Sequence, residues 1–277
     1  MGKVISVAIP KGGVGKTTTS VNLAASLAVI ERKTLLIDMD PSGACAVSLG
    51  FTPDKIHGDI FNLLAFSKSI DQITHKTFLD HLDFIPANIL NFEAEERLER
   101  LTYNVYLFRN ILQTIINKYD FIIIDCPPYL RGMTNFALTA SDSILIPVKG
   151  GHLSLMALKK ILNHIVHIRK NQNPKLEVEG ILLSMYEPNT RAWEITEGKV
   201  FKSLGKYVFK TTVPKSTFIA EATYLGKPAV IFDAKSRGSI SFLKLAKELI
   251  VRNSICPLIK NLTNSEKAIN KSDLYGV

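Results

Sequence analysis

The chain has 277 residues, enough for one large α/β domain, and its 46% hydrophobic and 21% charged residues are ordinary for a globular protein. No run of about 18 apolar residues occurs, so no membrane span is expected; Cys45, Cys126 and Cys256 form no Cys-x-x-Cys pair, so they read as buried free thiols, not a zinc site or a disulfide framework. The formal charge is +9, yet residues 1–140 carry a net of −1 (13 Lys/Arg, 14 Asp/Glu) and residues 141–277 a net of +10 (21 Lys/Arg, 11 Asp/Glu). That asymmetry fits nucleic acid or an acidic surface as partner, and it also fits scattered surface lysines.

In chain order, short β-branched runs alternate with longer helical patterns. Val4–Ile9 reads as a strand, with an apolar stretch too short for a signal peptide, so a cytoplasmic protein is expected. Thr17–Ile30 reads as a helix apolar on more than one side, and therefore well buried. Strands follow at Thr34–Asp38 and Leu82–Pro86, then a helix over Val105–Asn117 and strands at Phe121–Asp125 and Ser143–Val148. The remainder reads as helix Leu153–Arg169, strand Val178–Met185, helix Ala192–Leu204 and a last helix Ile240–Val251. The charge-rich stretch Glu93–Arg100 reads as a solvated helix face. Alternation of this kind predicts a single doubly wound, mostly parallel sheet with helices on both faces. The domain is expected over residues 1–252, with a polar tail over 253–277.

The strongest chemical signal is Pro10-Lys11-Gly12-Gly13-Val14-Gly15-Lys16-Thr17-Thr18, placed after a strand and opening a helix. Glycines there let backbone N–H groups approach a phosphate chain, and the helix N-terminus adds unsatisfied donors. Lys16 is placed to reach the β and γ oxygens and Thr17 to ligate Mg²⁺. The ordinary pattern has its first glycine where this chain has Pro10, and Lys11 stands beside it. A lysine so early in the loop folds poorly onto its own γ-phosphate and suits the phosphate of a facing subunit. The bland alternative is a Gly-rich turn with incidental lysines.

Two apolar strands end in aspartates: Leu35-Leu36-Ile37-Asp38-Met39-Asp40 and Ile122-Ile123-Ile124-Asp125. Ligands of open α/β sheets sit at the carboxyl ends of strands, which brings all three carboxylates to the phosphate loop. Asp125 has the place of a Walker B aspartate for Mg²⁺, Asp38 supports the same shell, and Asp40 is placed to position or deprotonate the attacking water. The alternative for any one of them is a carboxylate that caps its own loop.

Together these motifs resemble the ParA/MinD family of deviant Walker A ATPases. Asn135–Asp142, Gly180–Tyr186 and Lys235–Gly238 are similar to its ParA/Soj branch, and the likeness spans about residues 3–250. The resemblance implies a homodimer closing over two ATP molecules, with Lys11 acting across the interface, Gly12 allowing close approach of the loops, and Asp40 needed for hydrolysis. It further implies nonspecific DNA binding in the ATP state, a ParB-like centromere-binding partner that stimulates hydrolysis, a nucleoid-associated location, and chromosome or plasmid partition. Met185 and Pro214 match the positions that hold adenine. Ser42 and Ala44 stand where the family often has Gln and Asn, and Val213–Glu221 has only Lys215 where the family often has arginines.

Arg191, Lys199, Lys202, Lys206, Lys210, Lys215, Lys235 and Arg237 are the candidate DNA contacts. Lys199, Lys202 and Lys206 are spaced i, i+3 and i+7, one face of a helix, which suits phosphate contact or simply a solvated face. A MinD-like membrane ATPase is the first alternative. It needs an amphipathic C-terminal helix that residues 261–277 do not spell, so no stable membrane association is expected. An iron–sulfur carrier is the second, and it needs cysteines that can meet across a dimer.

Overall fold

A computed structural model of the chain describes residues 2–88, 96 and 100–254. Seven strands form one sheet in the order β3-β4-β2-β5-β1-β6-β7. They are β1 (Lys3–Val7), β2 (Thr34–Asp38), β3 (His75–Lys76), β4 (Leu82–Ile85), β5 (Phe121–Asp125), β6 (Ser143–Val148) and β7 (Glu177–Leu183). All pairings are parallel except β3 with β4. Strands β2, β5 and β6 are buried along their whole length, which is why they read as continuous apolar runs and not as alternating ones.

Successive strand residues feed two separate cores. Leu35, Ile37, Ile122, Ile124, Ile144 and Ile146 face one layer, while Leu36, Ile123 and Leu145 face the other. The first layer holds α5 (Leu107–Ile115), α6 (Met133–Ala140), α7 (His152–Asn171) and α8 (Arg191–Leu204). The second holds α1 (Lys16–Val29), α10 (Ala229–Phe232) and α11 (Arg237–Ser254). Helix α1 is buried around most of its circumference because α11 packs outside it, as its all-round apolar pattern predicts.

Within the described residues, the strands and helices expected outside 93–100 are present within three residues at each end. Several short elements escaped the sequence: β3, α2 (Ala44–Ser48), α3 (Ile60–Leu64), α4 (Ile70–Ile73), α6, α9 (Thr217–Tyr224) and α10. Elements of two to eight residues are too short for periodicity to be read. The last helix runs to Ser254, past the expected boundary at 252. Residues 255–277, with Cys256, lie outside the described residues, as does most of the 93–100 stretch. Its described members, Glu96 and Arg100, form an exposed ion pair at 3.4 Å. Among the described residues no helix is long and apolar enough to cross a membrane.

Candidate active site

Strand β1 sits between β5 and β6, so the chain turns in opposite directions from it, and the crevice at its carboxyl end is where such sheets bind ligands. The loop from Pro10 to Gly15 occupies this crevice. Gly13 (φ 66°) and Gly15 (φ 85°) adopt left-handed backbone, a conformation that costs other L-residues roughly 1–2 kcal/mol. Gly15 then caps α1, whose first turn carries Lys16, Thr17 and Thr18. Lys16 is buried, and its ammonium donates to the Lys11 carbonyl at 3.1 Å. Burial weakens its hold on the proton, and the charges of Asp125 and Asp40 oppose that effect.

Asp125 ends β5 opposite Asp38 at the end of β2. Its oxygens accept from the hydroxyls of Thr17 and Ser20, both at 2.7 Å. Asp38 accepts from the N–H groups of Asp40 (2.9 Å) and Cys45 (3.1 Å). Both carboxylates are fully buried. Desolvation pushes Asp125 up to about 6, against the hydrogen bonds from Thr17 and Ser20. Desolvation and the neighbouring Asp125 charge hold Asp38 well above the usual carboxylate range. Asp38, Asp125 and Cys45 present ligand atoms all within 4.8 Å of one another. A buried carboxylate pair beside one lysine fits a divalent cation, which removes the mutual repulsion. Asp40 is half-buried just outside, one carboxylate oxygen accepting from Ser42 N–H at 3.0 Å.

Beside the loop lies an apolar cavity of about 520 Å³, lined by Gly15, Thr18, Met185, Pro214, Ile219 and Phe242 among others. Ser184 ties its wall to the loop, donating to the Val14 carbonyl at 2.7 Å. Met185 has left-handed backbone (φ 52°), and Tyr186 N–H bonds to Val213 C=O at 2.8 Å, which carries Pro214 alongside. The two positions matched to adenine thus meet in one cavity that opens on the phosphate loop.

The candidate DNA residues do not form one helix face. Lys199 and Lys202 are exposed on α8, but that helix stops at Leu204. Lys206 lies in the following 3₁₀ turn, Gly205–Tyr207, over the Tyr207 ring, so the i+7 spacing does not extend the stripe. Arg191 opens α8, Lys210 follows the turn, and Lys235 and Arg237 are exposed around the start of α11. Lys215 pairs with Glu187 at 3.0 Å. Ser20, Cys45 and Ser184 were not singled out from sequence. Ser20 stands one helical turn after Lys16, the one local sign that it shares the loop's side of α1. Cys45 and Cys126 are free and fully buried, so neither can meet a partner's thiol as a shared cluster requires.

A family model described as an AAA domain matches residues 2–178. The chromosome partitioning protein ParA of Myxococcus xanthus is 39% identical over 254 residues, covering 92% of this chain and 90% of that protein. The chain belongs to the ParA/Soj family of P-loop ATPases. The sporulation initiation inhibitor protein Soj of Bacillus subtilis is also 39% identical, over 90% of this chain and 98% of its own length. Cobyrinic acid a,c-diamide synthase from Mycobacterium smegmatis, solved with an ATP analogue and magnesium, superposes with a TM-score of 0.75 at 26% identity, covering 96% of this chain and 98% of that one. In this ParA/Soj member, the phosphate loop and the paired aspartates fall within the residues matched by the family model.

Proposed function

We propose that this chain is a Mg-ATP-dependent dimerising ATPase that binds DNA without sequence preference in its ATP state and drives chromosome or plasmid partition. The observation that carries the reading is the buried Lys16, Asp38 and Asp125 constellation at the mouth of a left-handed glycine loop. Kinship with ParA and Soj supports the partition role.

Position supports a role for each residue. Backbone N–H groups of Gly12, Gly13, Val14, Gly15, Lys16, Thr17 and Thr18 cradle the phosphates, and the Lys16 ammonium exchanges the Lys11 carbonyl for phosphate oxygens. Thr17, Asp125 and Asp38 would hold Mg²⁺, which would supply positive charge to offset that of the phosphates. Asp40 keeps one oxygen fixed by Ser42 N–H and turns the other to the attacking water, orienting it and accepting its proton. The adenine enters the cavity between Met185 and Pro214. Lys11 reaches the phosphates of the partner subunit, and Gly12, exposed and with open space around its Cα, lets the loops close. A ParB-like protein stimulates hydrolysis and so releases the DNA. The protein is cytoplasmic and gathers on the nucleoid.

The test is binding of the purified protein to a nonspecific duplex, with ADP and with ATP, over a salt series. Binding only with ATP, falling steeply with salt, is the expected result. No binding in either state removes the DNA function and leaves the ATPase.

A further inference from the structure

The excess charge of the second half is concentrated where the motif-based reading does not look. From Lys149 to Lys175 the chain has six Lys/Arg, three His and no Asp or Glu. Most of this stretch is α7, the longest described helix, which carries Lys159, Lys160, Arg169 and Lys170 with no acidic residue. Helix α8, the favoured candidate, sets Arg191, Lys199 and Lys202 against Glu194 and Glu197, a net of only +1. The two helices pack side by side.

The faces of α7 divide cleanly. Leu155, Leu158, Ile161, Leu162, Ile165 and Ile168 are buried against the sheet. Lys159, Lys160, Asn163, His167 and Lys170 are exposed. Lys159 and Lys170, three turns apart, share one side and stand about 16 Å apart along the axis. The Arg169 guanidinium is used within the fold, donating to the Leu176 carbonyl at 2.6 Å. Among the described residues none of Lys159, Lys160 and Lys170 enters an ion pair.

Three uncompensated ammonium groups held on a rigid helix repel one another and gain from a polyanion that spans them. Between Lys159 and Lys170 no exposed residue is apolar and Val166 is half-buried, whereas a protein partner needs a desolvated apolar centre. Exposed Leu153 and Met156 lie beyond it, in the first turns at the active-site end. Lysines interleaved with Asn163 and His167 are what a sugar-phosphate backbone uses, for position and not for sequence. We infer that the outer face of α7, through Lys159, Lys160 and Lys170, is a phosphate-backbone contact surface for DNA, an inference that rests on the DNA-binding reading above. It widens the contact surface from α8 to a neighbouring helix, and its charge is the greater of the two.

The experiment measures affinity for a nonspecific duplex with ATP from 50 to 200 mM salt. It compares wild type, the triple variant Lys159→Gln/Lys160→Gln/Lys170→Gln, and a control triple Lys199→Gln/Lys202→Gln/Lys206→Gln. Three lost phosphate contacts make the log–log salt slope shallower by about 3. The α7 variant is expected to show that change, with unfolding temperature and affinity for an ATP analogue equal to wild type. If wild type binds and the α7 variant keeps the wild-type slope and affinity, this inference is overturned and the DNA reading stands. Wild type that fails to bind DNA overturns both.

Discussion

The phosphate end and the base end of the site are built in opposite ways. The phosphate end comes from one unbroken loop and two strand ends, is polar, and concentrates buried charge on Lys16, Asp38 and Asp125. The base end is an apolar cavity assembled from residues around 15–19, 184–185, 213–223 and 242, segments that meet only because β7 lies two strands from β1. In the proposed reading one end does the chemistry, and substitutions there are expected to cost the most. The other offers contact area to the base, and substitutions there are expected to cost in proportion to the area removed. Electrostatic groups in a dry site act through position and charge, whereas an apolar wall contributes in proportion to the surface it covers.

The sharpest test of that contrast is Asp40→Ala. If Asp40 handles the water's proton, hydrolysis falls by about 10²–10⁴-fold while ATP affinity changes little, read by phosphate release beside equilibrium binding of an ATP analogue. Normal turnover in this variant would remove Asp40 from the mechanism. Lys16→Ala comes next. Losing charge-assisted contacts to phosphate, at roughly 1.5–3 kcal/mol each, lowers nucleotide affinity by about 100-fold, measured by fluorescent-analogue titration.

The buried carboxylates give a pH signature that the apolar end lacks. Asp125 is pushed from an ordinary carboxylate value to about 6, so the folded, ligand-free protein holds its proton more tightly than the unfolded chain does. That contribution to stability is fully present below the unfolded value, near pH 4, and is lost as pH rises through about 6. The loss is on the order of 3 kcal/mol. Thermal unfolding of ligand-free wild type between pH 4.5 and 7 is therefore expected to show a downward component that Asp125→Asn lacks; equal slopes would refute it. Mg²⁺ needs the ionised form, so Mg-dependent nucleotide affinity weakens as pH falls through the same range.

The smallest expected effect belongs to the base end. Met185→Ala removes part of one wall and lowers affinity by about tenfold, with hydrolysis of bound nucleotide unchanged. A change as large as that of Lys16→Ala would break the contrast between the two ends.

Short-range order explains what was legible. Residues 10–18 reveal a phosphate loop because every group it needs lies within nine positions, and Asp38 and Asp125 stand out because each ends an uninterrupted apolar run, with Asp40 two residues beyond the first. Cys45 could not be read this way: it enters the carboxylate site because Gly43 turns the chain in left-handed backbone and α2 begins at Ala44. Lys206 misled for the same kind of reason, since spacing assumes a helix that in fact ends at Leu204.

By itself the sequence determined the alternating α/β order, the phosphate loop, the three aspartates and the charge asymmetry of the halves. Each is a local pattern or a sum, independent of which strands become neighbours. Only the tertiary structure decided that Met185 and Pro214 share a cavity with Gly15, that Ser20 and Thr17 both hold Asp125, and that the uncompensated charge stands on α7. Those depend on strand order and on which side of each helix the cores bury, and both are set by packing across the whole sheet.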